Sequence, residues 1–554
     1  MVMAKMARTV RKPKRTKVEE NGTPVLRMPA LAEEHLDISA LETWLWDAAC
    51  AIRGATDAPK FKDFILPLIF FKRLSDVFDD EFAGQVKEFG DEEVAREVIK
   101  ADHEDALKTG RKPVVRFFIA HQYRWEAIRN HPANVELGQF VTDAMREVAR
   151  LNPDLQGVLD IKDYNERRSG QRTIDDDRLS ALIEVLSRHT LGLLNAEPDV
   201  LGRAYEYLLR KFAEPGESAG EFYTPREVGW LIAHIINPQP YTTIYDPACG
   251  SGGLLIKARL YFEQSHPERK SQAPRLFLQE LNPDTFAIAK TNMFIHDYTD
   301  SVLAVGDTLK HPQFSAEGAG LRRFDYVVAN PMWNQPGYDE AFYENDQWKR
   351  FGYGAALPSN ADWGWLQHIA ASLNDNGRAA VVLDTGAVSR GSGSKASNKE
   401  KLIRQGFLEA DLIEGVVLLP ENLFYNTNAP GIILVLNRNK PADRKGQFIL
   451  VNASTHFVKE KPKNALTDEG VEAVSDVFQR WETHEKLSRV VTLQEVREAD
   501  YSLNPSQFVI SGDRLHHRSL TDIVADLQRM RVERERVDDA LSGAFSKLGL
   551  SSRE

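Results

Sequence analysis

The stretch "TTIYDPACGSGGLL", Thr242 to Leu255, decides the fold. Its first five residues are β-branched, aromatic and acidic, and read as a short strand. Pro247 ends that strand, Gly250, Gly252 and Gly253 make a turn, and Leu254 and Leu255 open a helical pattern. Strand, glycine turn and helix together form the opening unit of a doubly wound α/β fold. The glycines let the backbone approach a ligand closely, and the helix N-terminus behind them offers free N–H groups. Taken alone the turn is a weak signal, because such domains also use glycine turns for packing. The spacing is not GxGxxG, which counts against a dinucleotide.

Working outward, further strands alternate with helix-length segments: "RLFLQE" (275–280), "SVLAVGD" (301–307), "FDYVVA" (324–329), "RAAVVLD" (378–384), "LIEGVVLL" (412–419) and "GIILVLN" (431–437). That alternation predicts a mostly parallel sheet covered by helices on both faces, with ligands beyond the carboxyl ends of the strands. Four strands deliver polar residues there: Asp246, Glu280, Asp307 and Asn330. Glu280 has the acceptors for a ribose diol, and Asp307 has one for an adenine amino group. Either acid alone also reads as a solvated strand end; on successive strands after a glycine loop they describe a held nucleoside. The fourth strand runs into Asn330-Pro331-Met332-Trp333. A turn explains Asn-Pro, but Trp333 two residues later asks for a flat, amino-bearing partner and is read as an exposed ring.

A net charge of -11 argues against gripping nucleic acid by bulk electrostatics, so a nucleic-acid role needs a local basic surface or a helper chain. Hydrophobic and charged shares of 42% and 27% suit a globular protein. Cys50 and Cys249 stand far apart and read as reduced thiols. The start, "MVMAKMARTVRKPKRTK", carries no apolar core of a signal, and the longest apolar run is far short of the about 18 residues of a membrane span. The reading is of a cytoplasmic protein without a membrane segment. Four regions follow: a basic disordered tail (1–30), a helical N-terminal domain (36–195), the α/β domain (198–460) and a C-terminal region (461–554) ending in a helix over 519–547. In the N-terminal domain Leu41, Trp44, Leu45 and Ala48 recur at helical spacing, and "FILPLIFFKRL" is apolar around most of its circumference, which predicts a buried helix. The final helix has one narrow seam of Leu520, Ile523, Leu527, Met530, Val537 and Leu541, suited to pairing with another helix or docking on this chain's own N-terminal domain.

These motifs resemble the S-adenosylmethionine-dependent amino-methyltransferases, specifically the modification subunit of type I restriction–modification systems. "ILPLIFFKRLSDVF", "GEFYTPREV", "DPACGSGGLL", "NPMW" and "GVVLLPENLFYNTNAPGIILVLNR" carry the likeness, in that order along most of the chain. The resemblance implies a Rossmann-like methyltransferase domain and N6 methylation of adenine in a specific DNA sequence. It implies S-adenosylmethionine contacts from Glu221, Phe222, Tyr223, Thr224, Pro225, Arg226, Asp246, Ser251, Gly252, Gly253 and Glu280, with Asp307 facing the adenine of the cofactor. Asn330 and the Pro331 carbonyl would accept hydrogen bonds from the target amine, Trp333 would stack on the flipped base, and no metal is required. Implied partners are DNA, a specificity subunit reached through the C-terminal helix, and restriction subunits, with two copies of this chain per complex. The family usually has Pro where this chain has Met332, and the alternative reading is a catalytically inactive scaffold of the same fold.

Weaker features stay open between two readings. The glycine- and serine-rich segment 385–401, with Arg390, Lys395 and Lys399, reads as a phosphate-following loop or a solvated one. Asn426 and Asn428 suit a target pocket or a turn, while Trp363, Trp365 and His368 at helical spacing read as core.

Overall fold

Helices form wherever apolar residues recur every three to four positions. The computed structural model describes residues 36–509, apart from 134, 169–170, 213–223, 317–319, 395–397, 425–426 and 460–462, together with 528–538 and 541. The expected tail over 1–30 lies outside the described residues, as do Glu221, Phe222 and Tyr223 and much of the expected helix over 519–547.

The N-terminal part is built from α1 (Ile38–Ala51), α2 (Lys62–Phe89), α3 (Glu92–Thr109), α4 (Leu137–Leu151), α5 (Asp176–Leu186) and α6 (Val200–Phe212). Asp37 caps α1 by accepting from the Ala40 N–H at 2.7 Å, and Gly90 ends α2 in the left-handed conformation that only glycine adopts at no cost. As its all-round apolar pattern requires, α2 is buried from Phe64 to Phe78 apart from Pro67. That burial includes charge. Lys72 pairs with Asp76 at 2.8 Å, Asp76 accepts from the Leu191 N–H at 2.6 Å, and Arg73 donates to the Leu191 and Gly192 carbonyls. Burial lowers Arg73 to about 10 and raises Asp76. These bonds pin α2 to the segment that leads into α6, so the helical core runs on through Leu208 and takes in Ile288 and Ile295 of the next domain.

Nine strands form the central sheet: β1 (Thr243–Asp246), β2 (Arg275–Glu280), β3 (Val302–Val305), β4 (Phe324–Ala329), β5 (Leu373–Asp384), β6 (Ile413–Leu418), β7 (Gly431–Asn437), β8 (Gln447–Asn452) and β9 (Ser488–Thr492). Their spatial order is β9-β8-β6-β7-β5-β4-β1-β2-β3. The block from β5 to β3 is parallel, as is the pair β6 and β8, whereas β7 lies antiparallel between β5 and β6 and β9 antiparallel on β8. Strand alternation sorts the two faces. Ile244, Leu276 and Leu278 pack under α7 (Arg226–Ile236) and α8 (Gly253–Ser265), while Tyr245, Phe277 and Val327 pack under α10 (Asp362–Ala371) and α11 (Lys399–Glu409). Between β2 and β3 runs α9 (Pro283–Ile295), which touches the helical core on one side and the sheet on the other.

All seven predicted strands are present. The boundary read at residue 460 needs correction, because β9 joins the same sheet and α12 (Asp468–Arg480) buries Val471 and Val474 against it. The polar positions that suggested an ending are the outer faces of these edge elements. One unit ends at Val509 and a second spans Ile510–Glu554. In the second, residues 528–538 are helical and Met530, Val537 and Leu541 are exposed; Leu520, Ile523 and Leu527 lie outside the described residues. Among the described residues no helix is long and apolar enough to cross a membrane.

Candidate active site

β1 ends on Asp246, and the chain then folds back over the strand ends through two left-handed glycines, Gly250 (φ 54°) and Gly252 (φ 83°). A β-carbon on Gly252 would stand 2.8 Å from Met293 Cε, so the loop lies flat on α9 only because the side chain is missing. Glu280, at the end of β2, accepts from the Gly250 N–H and the Asn282 N–H, both at 2.8 Å, and so supports the loop from below. Asp246 is buried and accepts from the Ala248 N–H at 3.0 Å. Burial raises its pKa well above the carboxylate range, with the charge of Glu280 adding to the effect, and burial also raises Glu280. Among the described residues neither acid has a cationic partner.

A third acid comes from the helical part. Asp199, just before α6, is buried with its carboxylate against the start of α8. It accepts from Ser251 Oγ at 2.5 Å and from Asn292 Nδ2 at 2.8 Å, and Asn292 also donates to the Ser251 carbonyl at 3.0 Å. A β-carbon on Gly253 would overlap that carboxylate, and one on Gly202 would stand 2.5 Å from Ser251 Oγ. Gly253 of this loop and Gly202 of α6 therefore make room for an acid of the chain itself. Lys257, buried one turn into α8, is lowered by burial and held up by Asp199.

Asn330 follows β4. Its Nδ2 donates to Thr224 Oγ1 at 2.9 Å, across 106 residues of chain, and its Oδ1 accepts from Trp333 Nε1 at 3.1 Å. Trp333 is only 7% exposed, which corrects the reading of an exposed ring. It meets Phe424 edge to face with centroids 4.7 Å apart. The cause is Gly431 at the start of β7, where a β-carbon would stand 2.7 Å from Phe424 Cε2 and 2.8 Å from Trp333 Cη2. Met332 is the exposed residue among the four from Asn330 to Trp333. One cavity gathers Asp199, Thr224, Asp246, Gly250, Ser251, Gly253 and Asn330. Glu280, Asp307, Pro225, Arg226, Gly252, Pro331 and Trp333 are not among its walls. Asp307 closes its own turn by accepting from the Leu309 and Lys310 N–H groups at 3.0 and 3.1 Å, and its second oxygen accepts from the Tyr338 hydroxyl at 2.8 Å.

Comparison with known proteins bears on this arrangement. The N-6 DNA methylase family model matches residues 196–516, and the HsdM N-terminal domain model matches residues 41–186. The MjaVIII methylase subunit of a type I restriction enzyme from Methanocaldococcus jannaschii is 33% identical, over 96% of this chain and 89% of its own. The chain belongs to the methylase subunits of type I restriction enzymes. The HindI methylase subunit from Haemophilus influenzae is 30% identical over 71% of this chain and 89% of its own. Among solved structures, the methyltransferase subunit of a type I restriction–modification system from Streptococcus thermophilus superposes with a TM-score of 0.65 at 26% identity, covering 85% of this chain and 99% of that one.

This methylase subunit is a DNA methyltransferase that uses S-adenosylmethionine. The residues present fit that cofactor. A ligand carrying a sulfonium and an ammonium group answers the buried Asp246 carboxylate, which lacks a cationic partner among the described residues, and the glycine loop leaves its approach open, with nothing within 4 Å of a β-carbon placed on Gly250. Bound there, it supplies an electrophilic methyl group.

Of the residues singled out in the sequence, the structure brings Asp246, Ser251, Gly253, Thr224 and Asn330 to one cavity and places Glu280 and Gly252 in its support. Asp199, Asn292 and Lys257 were missed; nothing in their sequence neighbourhoods signals them, since only folding sets Asp199 and Asn292 beside Ser251 and brings Asp199 to Lys257. Arg390 does not follow phosphates: it is tied to Asp362, Asp384 and Glu400. Trp363, Trp365 and His368 are buried, as their spacing predicts.

Proposed function

We propose that this methylase subunit methylates the N6 amino group of adenine within a specific DNA sequence, as the modification subunit of a type I restriction–modification complex. The observation that carries the reading is the presence of the Asn330 carboxamide in the same cavity as Asp246, Ser251 and Gly253. A side chain able to accept a hydrogen bond from an amino group thus lines the same cavity as the glycine loop. Adenine N6 is a poor nucleophile because its lone pair is delocalised into the ring. Hydrogen bonds from its two protons to Asn330 Oδ1 and the Pro331 carbonyl draw the nitrogen towards tetrahedral geometry and aim the lone pair at the methyl group. Asp246, Ser251, Gly252, Gly253, Glu280 and the segment from Glu221 to Arg226 hold the cofactor in this reading, except that Thr224 gives its hydroxyl to Asn330, with Asp307 towards the adenine of the cofactor. The target base has to leave the duplex to reach Asn330. Trp333 offers it a ring once Phe424 gives way.

Sequence recognition falls to a specificity subunit bound through the C-terminal helix, with two copies of this chain and restriction subunits in the cytoplasmic complex. The exposed Met530, Val537 and Leu541 and the net charge of -11 support delegation of base reading to a partner. The inactive-scaffold alternative gains no support from a chain that keeps Asn330, Pro331 and the cofactor acids. Labelled-methyl transfer to DNA tests the reading. The native assembly is expected to label N6 of adenine, and Asn330→Ala is expected to bind S-adenosylmethionine normally while transferring no methyl groups; transfer by Asn330→Ala at the normal rate overturns it.

A further inference from the structure

We propose that Thr224 and Trp333 are positioning residues that set the orientation of the Asn330 carboxamide. The proposal rests on the reading of Asn330 as the acceptor for the target amine, and it starts from an ambiguity in that side chain. The oxygen and nitrogen of a carboxamide are nearly the same size, and a half-turn about the last side-chain bond exchanges an acceptor for a donor. An Asn330 turned the wrong way would present N–H groups to an amine that itself has only N–H groups to offer. The chemistry therefore requires something to distinguish the two orientations.

Trp333 makes that distinction. An indole nitrogen is a donor only, so the amide atom 3.1 Å from Trp333 Nε1 has to be oxygen. With Oδ1 on that side, Nδ2 falls 2.9 Å from Thr224 Oγ1, which accepts from it. A hydroxyl can donate or accept, so Thr224 does not choose the orientation by itself; it rewards the one that Trp333 has chosen. Both Trp333 and Asn330 are buried, and Gly431 lets Phe424 close against the indole, so the donor is held by packing as well as by its hydrogen bond. Thr224 stands directly before Pro225, which caps α7. Its hydroxyl therefore reaches Asn330 from a helix start and not from a free loop. A phenyl or phenol ring at position 333 would fill the space but would lack the ring N–H.

Single-turnover methyl transfer by the complete DNA-bound assembly, at saturating S-adenosylmethionine, tests this together with calorimetric cofactor affinity. Thr224→Val keeps the shape and removes the acceptor, Thr224→Ser restores it, and Trp333→Phe keeps a ring and removes the donor. Losing one hydrogen bond to the amide is expected to slow transfer roughly three- to tenfold in Thr224→Val and in Trp333→Phe, with cofactor affinity within about twofold of the parent. Thr224→Ser is expected to recover most of the rate. The double variant should be slower than either single one by less than the product of their effects, because both act through one amide. Normal transfer by Trp333→Phe overturns the proposal, as does a Thr224→Ser chain as slow as Thr224→Val. Weakened cofactor binding by Thr224→Val with a normal saturated rate would assign Thr224 to the cofactor instead and overturns it too. Asn330→Ala separates the levels: if it still transfers methyl groups, the acceptor reading itself fails, whereas an inactive Asn330→Ala beside a normal Thr224→Val refutes the positioning role alone.

Discussion

Arg390→Met removes a guanidinium that bridges three carboxylates. In the structure Arg390 Nη2 meets Asp362 Oδ2 at 2.5 Å, Nη1 meets Asp384 Oδ2 at 2.9 Å and Nε meets Glu400 Oε2 at 2.7 Å. Asp362 and Glu400 are buried, and burial already pushes Asp362 up to about 6 in spite of Arg390. Methionine keeps most of the stem, so the loss is charge and not packing. Breaking a buried ion pair by removing one partner costs about 3–5 kcal/mol. The lower end applies here, since Glu400 keeps the attraction of Arg404 and Asp384 retains some contact with water. Against a total stability on the order of 5–15 kcal/mol, about 3 kcal/mol is readily measured. The pH dependence has a definite sign. Without Arg390 the folded-state pKa of Asp362 rises further above its unfolded value, so the folded variant holds a proton that the unfolded chain releases. Its stability relative to the parent is therefore lost as pH rises through those values and regained as pH falls. Urea unfolding followed by tryptophan fluorescence should show a deficit of about 3 kcal/mol at pH 8 that narrows at pH 5. A deficit under about 1 kcal/mol at pH 8, or one of equal size at both pH values, would refute the electrostatic account.

Gly431→Ala places a methyl group against Phe424 and Trp333, so a loss of about 1–3 kcal/mol in thermal unfolding should accompany slowed methyl transfer; unchanged transfer would show that the Trp333 position tolerates the shift. Affinity for S-adenosylmethionine should strengthen as pH rises from 5 to 8, because Asp246 and Glu280, both raised by burial, must shed protons to meet a cation, and Asp246→Asn should flatten that profile in calorimetry. A chain ending at Val509 should fold and bind cofactor, since the first unit ends there, but should fail to co-elute with the specificity subunit in size-exclusion chromatography; an intact complex would place that interface elsewhere.

The periodicity of the sequence was enough to place seven strands and the apolar helix of the N-terminal part, because an alternation of two or of three to four is written into any window of ten residues. The same windows located Asp246, Glu280 and Asn330, which sit at or immediately after strand ends. Short edge strands such as β9 escaped, since an edge exposes half of its residues and reads as polar.

The chain's own order of residues determined the α/β class, the glycine loop and the acids beside it, because each depends on neighbours within a few positions. Only the tertiary structure decided what those groups touch. Asp199 reaches Ser251 across 52 residues, Thr224 reaches Asn330 across 106, and Trp333 is buried because a glycine about a hundred positions away leaves Phe424 room to close. Contacts at such separations follow from how sheet and helices pack, and packing depends on the whole set of side chains at once, which no local window contains.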